Sequence, residues 1–489
     1  MPREKNRTLR LIVPIVVLLA AIGVIASVFV TSTSNRPAAP AGQSATTPAD
    51  ERTADDAAEA VAQEADGDAV DSIAASAERQ ATPPVDEADE QAQPAVAPDE
   101  PVMTAREVED EAPASPLDGL SVRRYGAPEG GLTPIGELGE TSDYEFLIEF
   151  TPAGAGVEAI RLARHYETYK RVEPYVLQRR TMANGYTVAS LAARAIVING
   201  QALDLYTAGD GQSRWREIGP GTFEAVIVDA DDDEVARIER RYSIFPGSFE
   251  IAVDQRIENL TDMPLTVRWF QYGPVDLPEG EVGYGGDKRR VRFGHLLNPS
   301  VDASQTLVEA SSFRDRGSIL KDIEQANEPV QLWPTESSRR ANQSLVWAAM
   351  TNRYFAFAVH PKIDEAAFQN GQSIDKRFEQ AEQVYGVALG RAPSRSLVMQ
   401  LNSPEETLAP GATLRLDIAA YAGPLWRRTL ATEDVYRALR LDRLVIYNFG
   451  GPCAFCTFQW LAKGLIAFLT VLHDYLVFDW ALAIMILVV

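Results

Sequence analysis

Residues 11–30 carry no charged side chain, and Arg3, Lys5, Arg7 and Arg10 stand directly before them. A helix of twenty residues is about 30 Å long, the thickness of a bilayer's hydrocarbon core. Residues 1–30 therefore read as an N-terminal transmembrane anchor. The run is longer than the core of a cleaved signal, which holds about 7–15 apolar residues. Val28-Phe29-Val30-Thr31 is also too bulky for a cleavage site, and Pro14 is tolerated near a helix start. The basic flank predicts a cytoplasmic N-terminus and puts the following segment on the other side of the membrane.

Residues 31–117 read as a disordered acidic linker rich in Ala and Pro. Between positions 51 and 111 there are 19 acidic residues against Arg52, Arg79 and Arg106, so this stretch supplies 16 of the chain's 23 net negative charges. It has almost no aromatic residues and cannot bury enough apolar area to offset chain entropy. As a flexible coil it would span about 50 Å. The chain lacks the basic stripe that a nucleic-acid partner would need. Its only basic cluster, Lys288, Arg289, Arg290 and Arg292, alternates with Val291 and Phe293 and reads as a solvated strand face.

From residue 118 to 425, strand-like runs recur every ten to fifteen residues. Alternation over 144–150 is followed by a Pro-Ala-Gly-Ala-Gly turn and a second run, 157–162. Asn199-Gly200 sits between two short apolar runs, a strong hairpin signal. Residues 223–228 and 235–244 flank an acidic turn, and further runs cover 249–257, 264–272, 345–350, 354–360, 384–389, 396–401 and 414–421. Helix signals are few. The expected fold class is mainly β, with two packed antiparallel sheets.

Residues 426–452 read as a connecting helix, capped by Thr432 with Glu433 and Asp434 in its first turn, and stopped by Gly450-Gly451-Pro452. Residues 453–478 read as an amphipathic helix lying in the membrane interface, with Trp460, Lys463, Phe468, Leu472, Tyr475 and Trp480 as interface residues. A spanning helix over 460–476 is the rival reading. Residues 479–489 begin a second transmembrane helix: Trp480 to Val489 covers about 15 Å, half of a bilayer core. The chain is thus expected to end inside a membrane helix.

Local motifs for chemistry are weak. Asp229, Asp231, Asp232, Asp233 and Glu234 do not make a calcium loop, because Glu234 and Arg240 occupy the positions that need Gly and Glu. Gly283-Tyr-Gly-Gly286 is not followed by a helix that could hold a phosphate. Cys453 and Cys456 form a CxxC without the ligands of a zinc site or a surrounding βαβ pattern, and a disulfide between them is open. His165, His295, His360 and His473 are too far apart in sequence for a metal motif. No catalytic residue, cofactor or metal ligand is assigned, and the chain reads as a non-enzyme.

Several stretches together resemble one family. Trp347-Ala-Ala-Met-Thr-Asn-Arg-Tyr-Phe355, then Pro361, is similar to its W-x-A-x(4)-YF strand pair. Leu408-Ala-Pro-Gly411 with Tyr421-Ala-Gly-Pro424 is similar to its end-of-domain signature, with Leu425 where Lys is common. Leu444-Val-Ile-Tyr-Asn-Phe-Gly450, Trp460-Leu-Ala-Lys-Gly-Leu465, His473 and Asp479-Trp-Ala-Leu-Ala-Ile-Met-Ile486 follow its junction in order and spacing. Gly464, Asp479 and Ala481 replace a Pro, an Asn and a Gly, and the insert around Cys453 and Cys456 is outside the pattern. The family is the YidC/Oxa/Alb membrane-protein insertases in their Gram-negative form.

The resemblance implies a periplasmic β-supersandwich, an interfacial helix and a five-helix core with a hydrophilic groove. It also implies an Arg that draws polar client segments into the membrane and would fall about three residues beyond Val489. A charge in a wet intramembrane cavity lowers the cost of moving polar groups across. The implied function is insertion and folding of integral membrane proteins, alone or with the Sec translocon, in a multi-pass protein of the inner membrane. The implied partners are nascent membrane-protein clients, Sec components and the lipid bilayer. Without groove and Arg, residues 1–489 alone are expected not to insert clients. Two alternatives stay open: an anchored carbohydrate-binding or mutarotase-like domain, using a carboxylate with His165, His295 or His360, and a Sec-associated scaffold.

Overall fold

Strands with continuous apolar sequence are buried on both faces, and two of them mark the centre of this domain. Phe355–Pro361 and Ile418–Pro424 are buried at every position and pair with each other antiparallel. The computed structural model describes residues 117–488, except 118, 127, 129, 184–185, 208–211, 280–286, 298–307, 371, 373, 391–394, 446–458 and 478. The expected N-terminal anchor, nearly all of the linker, the Gly283–Gly286 turn and the Cys453/Cys456 pair lie outside the described residues.

The central pair belongs to an eleven-stranded sheet. Its order is Ser121–Val122, Thr222–Val228, Glu234–Ile244, Glu250–Asn259, Ile418–Pro424, Phe355–Pro361, Ser344–Thr351, Arg290–Leu296 and Val308–Asp315, with two short strands beside this path. A six-stranded sheet runs Gln201–Asp204, Ala193–Ile198, Leu265–Val275, Ser396–Leu408, Gln383–Leu389 and Val330–Trp333. Leu265–Val275 packs on Ser344–Thr351 and Phe355–Pro361, so the two sheets face each other. A four-stranded sheet, with Phe146–Thr151 and Gly156–Tyr166 at its middle, joins the same hydrophobic core. Every pairing recorded among the described residues of these three sheets is antiparallel. The expected mainly-β class of packed antiparallel sheets is observed.

Local chemistry sets the registers. Asn199 (φ 48°) and Gly200 (φ 81°) are both left-handed, as a two-residue hairpin requires, and join Ala193–Ile198 to Gln201–Asp204. At the acidic turn Asp229 Oδ1 accepts from the backbone N–H groups of Asp231 (2.9 Å) and Asp233 (3.0 Å). That carboxylate therefore closes the hairpin from Thr222–Val228 to Glu234–Ile244. The run over 414–421 breaks into two strands. Gln255 lies opposite the break, donating its Nε2 to Leu416 O at 2.8 Å and its N–H to Asp417 Oδ1 at 2.9 Å.

Arg240 ties its strand to two neighbouring turns from the inside. It is fully buried and donates Nη1 to Gly154 O at 2.8 Å and Nη2 to Leu191 O at 2.5 Å. Burial lowers its pKa, and its charge is met by backbone carbonyls together with the Tyr242 and Trp215 rings.

The basic cluster is not a solvated face. Arg289 pairs with Asp287 (2.8 Å) and Glu279 (3.5 Å), and Arg290 pairs with Asp315 (2.8 Å) over the Phe313 ring. Arg292, two residues further along the same strand, is buried. Alternation puts Arg290 and Arg292 on one face of the strand, and the buried Arg292 finds a carbonyl partner at Leu444, 152 residues away.

Candidate functional site

The site with most bearing on function is the junction where the chain leaves the β domain. Its first part is three short turns, Arg427–Thr432, Asp434–Ala438 and Leu441–Leu444, and not one helix. Leu430, Tyr436, Leu439, Leu441 and Leu444 are all buried. On one straight helix these five would spread over roughly 200° at 100° per residue, too wide for a single apolar stripe. Breaks at Glu433 (φ −64°, ψ 131°) and Arg440 (φ 55°) re-aim each piece at the core. Thr432 does not cap the second piece; its hydroxyl donates back to Arg428 O at 2.8 Å.

The segment is docked by side chains from the central strands. Trp347 Nε1 donates to Leu439 O at 2.9 Å, and Arg292 Nη1 donates to Leu444 O at 2.6 Å. Ser248 Oγ lies 3.3 Å from the Tyr436 hydroxyl, and the Tyr436 ring meets Tyr421 edge-on at 4.9 Å. Leu425 N donates to Tyr354 O at 2.7 Å. Asn352 closes the preceding hairpin, its Oδ1 accepting from Tyr354 N (2.9 Å) and Phe355 N (2.8 Å). Burial pushes the Arg292 pKa down to about 10, with Arg290 adding to the effect. Burial, helped by the Glu250 charge, holds Tyr436 well above its ordinary value.

Beneath this segment lies His360, fully buried, with Nε2 3.4 Å from Glu250 Oε2. The contact is electrostatic, since neither atom makes a hydrogen bond of good geometry. His360 Nδ1 faces Pro361 O at 2.9 Å. Burial alone would lower its pKa; the Glu250 carboxylate and that carbonyl together raise it above the usual value. His165 lies among Phe249, Phe355 and Trp426, and burial, with Arg164, lowers its pKa. His295 stacks on Trp333 at 5.6 Å. The three histidines thus have separate neighbours. The ion pair of His360 with a carboxylate is closed to solvent. A polar open cleft of about 750 Å³, lined by Lys362, Asp364, Gln369, Gln380, Arg415 and Asp417, has none of them on its wall.

Beyond the junction, Gln459–Val471 is an α-helix, Leu472–Val477 a π-helical turn and Trp480–Val488 a second α-helix. Asp479 Oδ1 caps that last helix by accepting from Leu482 N at 3.0 Å. The His473 ring stacks on Trp480 at 4.1 Å, and its Nδ1 lies 2.8 Å from Asp474. Leu465, Ile466, Val471, Leu476, Leu482, Ile484, Met485 and Ile486 are exposed, a density of apolar surface that marks an interaction face. Trp480 is half exposed, Phe468 half buried and Leu472 buried, so the last belongs to the packing of these helices. Trp460 and Lys463 fall within Gln459–Val471, but their side chains lie outside the described residues. The helix Gln459–Val471 is about 20 Å long. No helix among the described residues is long and apolar enough to cross a membrane.

Comparison with known proteins fits this geometry. The family model described as the YidC periplasmic domain matches residues 140–467, from the four-stranded sheet through the junction into Gln459–Val471. A protein named membrane protein insertase YidC from a Geobacter species is 21% identical over 328 residues, covering 67% of this chain and 49% of that one. One of the same name from Cellvibrio japonicus is 24% identical over 355 residues, 71% of this chain and 53% of that one. The chain spans about half the length of the curated relatives it matches. Among solved structures, a galactose mutarotase related enzyme from Lactobacillus acidophilus aligns at 9% identity and a TM-score of 0.34, covering 59% of this chain and 97% of that one. The chain belongs to the family of the YidC periplasmic domain.

Proposed function

We propose that this chain serves membrane-protein insertion as one part of the machinery, and that this machinery helps client helices enter and fold in the inner membrane, without covalent chemistry, alone or beside the Sec translocon. The observation that carries this is the family match across both the β domain and its docked junction. In this reading residues 1–30 anchor the chain with a cytoplasmic N-terminus, and 31–117 are a spacer. Residues 118–425 form a β-supersandwich held in the periplasm, and 426–452 connect it to the membrane. Residues 453–478 lie in the membrane interface, and 479–489 enter the bilayer. The exposed apolar residues of Gln459–Val471 and Trp480–Val488 support lipid as their neighbour. The partners are nascent membrane proteins, Sec components and lipid.

The test is insertion of a Sec-independent client in cells of the source organism depleted of the protein, read by protease protection. Reduced insertion, restored by resupply, is expected. Undiminished insertion after complete depletion contradicts the proposal.

A further inference from the structure

The end of the β domain where the junction begins carries an aromatic and cationic face. Trp426 is 57% exposed and Tyr354 55% exposed, and they are neighbours through the Leu425 N to Tyr354 O hydrogen bond. The Trp426 ring also lies 5.6 Å from His165, near the end of the strand Gly156–Tyr166. That strand runs on into a turn bearing Tyr169, 90% exposed, and Val172, 70% exposed. Nothing in the packing of the domain requires four large apolar groups to face outward here.

Cationic side chains stand beside these apolar groups. Arg427 and Arg428 follow Trp426 directly, are exposed, and make no ion pair or hydrogen bond through their side chains with any described residue. Lys170 is exposed beside Tyr169, and Arg171 pairs with Glu140 at 3.1 Å. Glu167 is committed to Val176 N at 3.1 Å, and Glu433 lies beyond the first helical turn. Arg161, Arg216 and Arg237 elsewhere on the surface are paired with acids, whereas Arg427 and Arg428 stand beside exposed aromatic groups.

We propose that Trp426, Tyr354, Tyr169 and Val172, with Arg427, Arg428 and Lys170, form a docking face for an anionic phospholipid surface. Two observations choose lipid as the occupant. Tyrosine and tryptophan beside unpaired cations match the headgroup layer, apolar below and negatively charged above. The face also opens the segment leading to helices with an exposed apolar surface. Docking would hold the β domain against the bilayer at a second place. The inference rests on the membrane-attached reading above.

The experiment uses the full chain in vesicles of phosphatidylcholine, with or without phosphatidylglycerol, carrying a headgroup spin label. Flotation reports attachment, and the difference between wild type and W426F isolates Trp426 fluorescence. Strong quenching of Trp426 is expected in the anionic vesicles and weak quenching in the neutral ones. R427Q and R428Q should each lower the docked-to-undocked ratio roughly fivefold, from the attraction of one cation near an anionic surface. Unquenched Trp426 on a chain that floats with anionic vesicles overturns the docking face and leaves it to a protein partner, with membrane attachment intact. Quenching unchanged by lipid charge or by both substitutions also overturns it. A chain that does not float overturns the attached reading and this inference together.

Discussion

The indole N–H of Trp347 donates to the carbonyl of Leu439 at 2.9 Å, ninety-two residues further along the chain. Trp347 stands on a central strand and Leu439 on the exit segment, so this bond joins the β core to the part that continues toward Gln459–Val471 and Trp480–Val488. The ring lies over Gly294, its cross-strand partner, where a Cβ would come within 2.1 Å of it. W347F should cost about 1–3 kcal/mol by leaving a buried carbonyl unpaired. G294A should cost a similar amount, about 1–3 kcal/mol, by overpacking. Denaturant unfolding of the detergent-solubilised chain measures both, and W347F with unchanged stability would contradict the bond's role.

Arg292 holds the last turn of the junction through Leu444 O. R292M keeps the stem and removes the donor. Stability should fall by about 1–3 kcal/mol, part of it offset because the buried cation is gone. Hydrogen exchange should quicken at residues 441–445 before it does in the central strands. Uniform exchange across both would show that Arg292 acts on the whole domain.

Two histidines give opposite pH dependence. His360 has a raised pKa in the fold, so its contribution is full below the unfolded value of about 6.5 and is lost as pH rises through the folded pKa. His165 has a lowered pKa, so its penalty appears as pH falls below about 6.5 and grows through the folded value. Stability should therefore decline on both sides of neutrality. H360Q should flatten the alkaline side, and H165F the acid side. Unfolding midpoints across pH 5–9 check this, and an unchanged alkaline slope in H360Q would refute the His360 assignment.

The exposed apolar face of Gln459–Val471 gives a third kind of test. A spin label at Ile466 should collide more with oxygen than with a water-soluble nickel complex when the chain is in bilayers. L465D should reverse that preference locally, since a charged group in lipid is costly. Nickel accessibility in the unsubstituted chain would place this face in water.

Much of the β architecture was legible because its signals are local. Asn199-Gly200 demands a two-residue turn, and the alternating run over 249–257 became Glu250–Asn259. The helix Arg316–Ala326 was not legible: only Ile319 and Ile323 are buried, one i,i+4 pair among polar residues. The frequent apolar residues of the junction predict a single helix, whereas their directions require three pieces. Arg292 sits in a basic run that predicts a solvated face, and nothing local marks Arg240 as buried. Their carbonyl partners, at Leu191 and Leu444, lie 49 and 152 residues away, and only tertiary packing brings them together. For the site, the motifs at Trp347, Phe355 and Tyr421 pointed to the right strands, but not to the segment they hold.

The claim that joins fold to function is that the exit segment moves with the β domain as one body. Hydrogen exchange of the full chain in lipid nanodiscs, followed at residues 427–445, tests it most directly. Protection at Leu430, Leu439 and Leu444 is expected to match that of Phe355–Pro361 and to be lost only on global unfolding. Exchange of that segment at loop-like rates, with the central strands still protected, would contradict it.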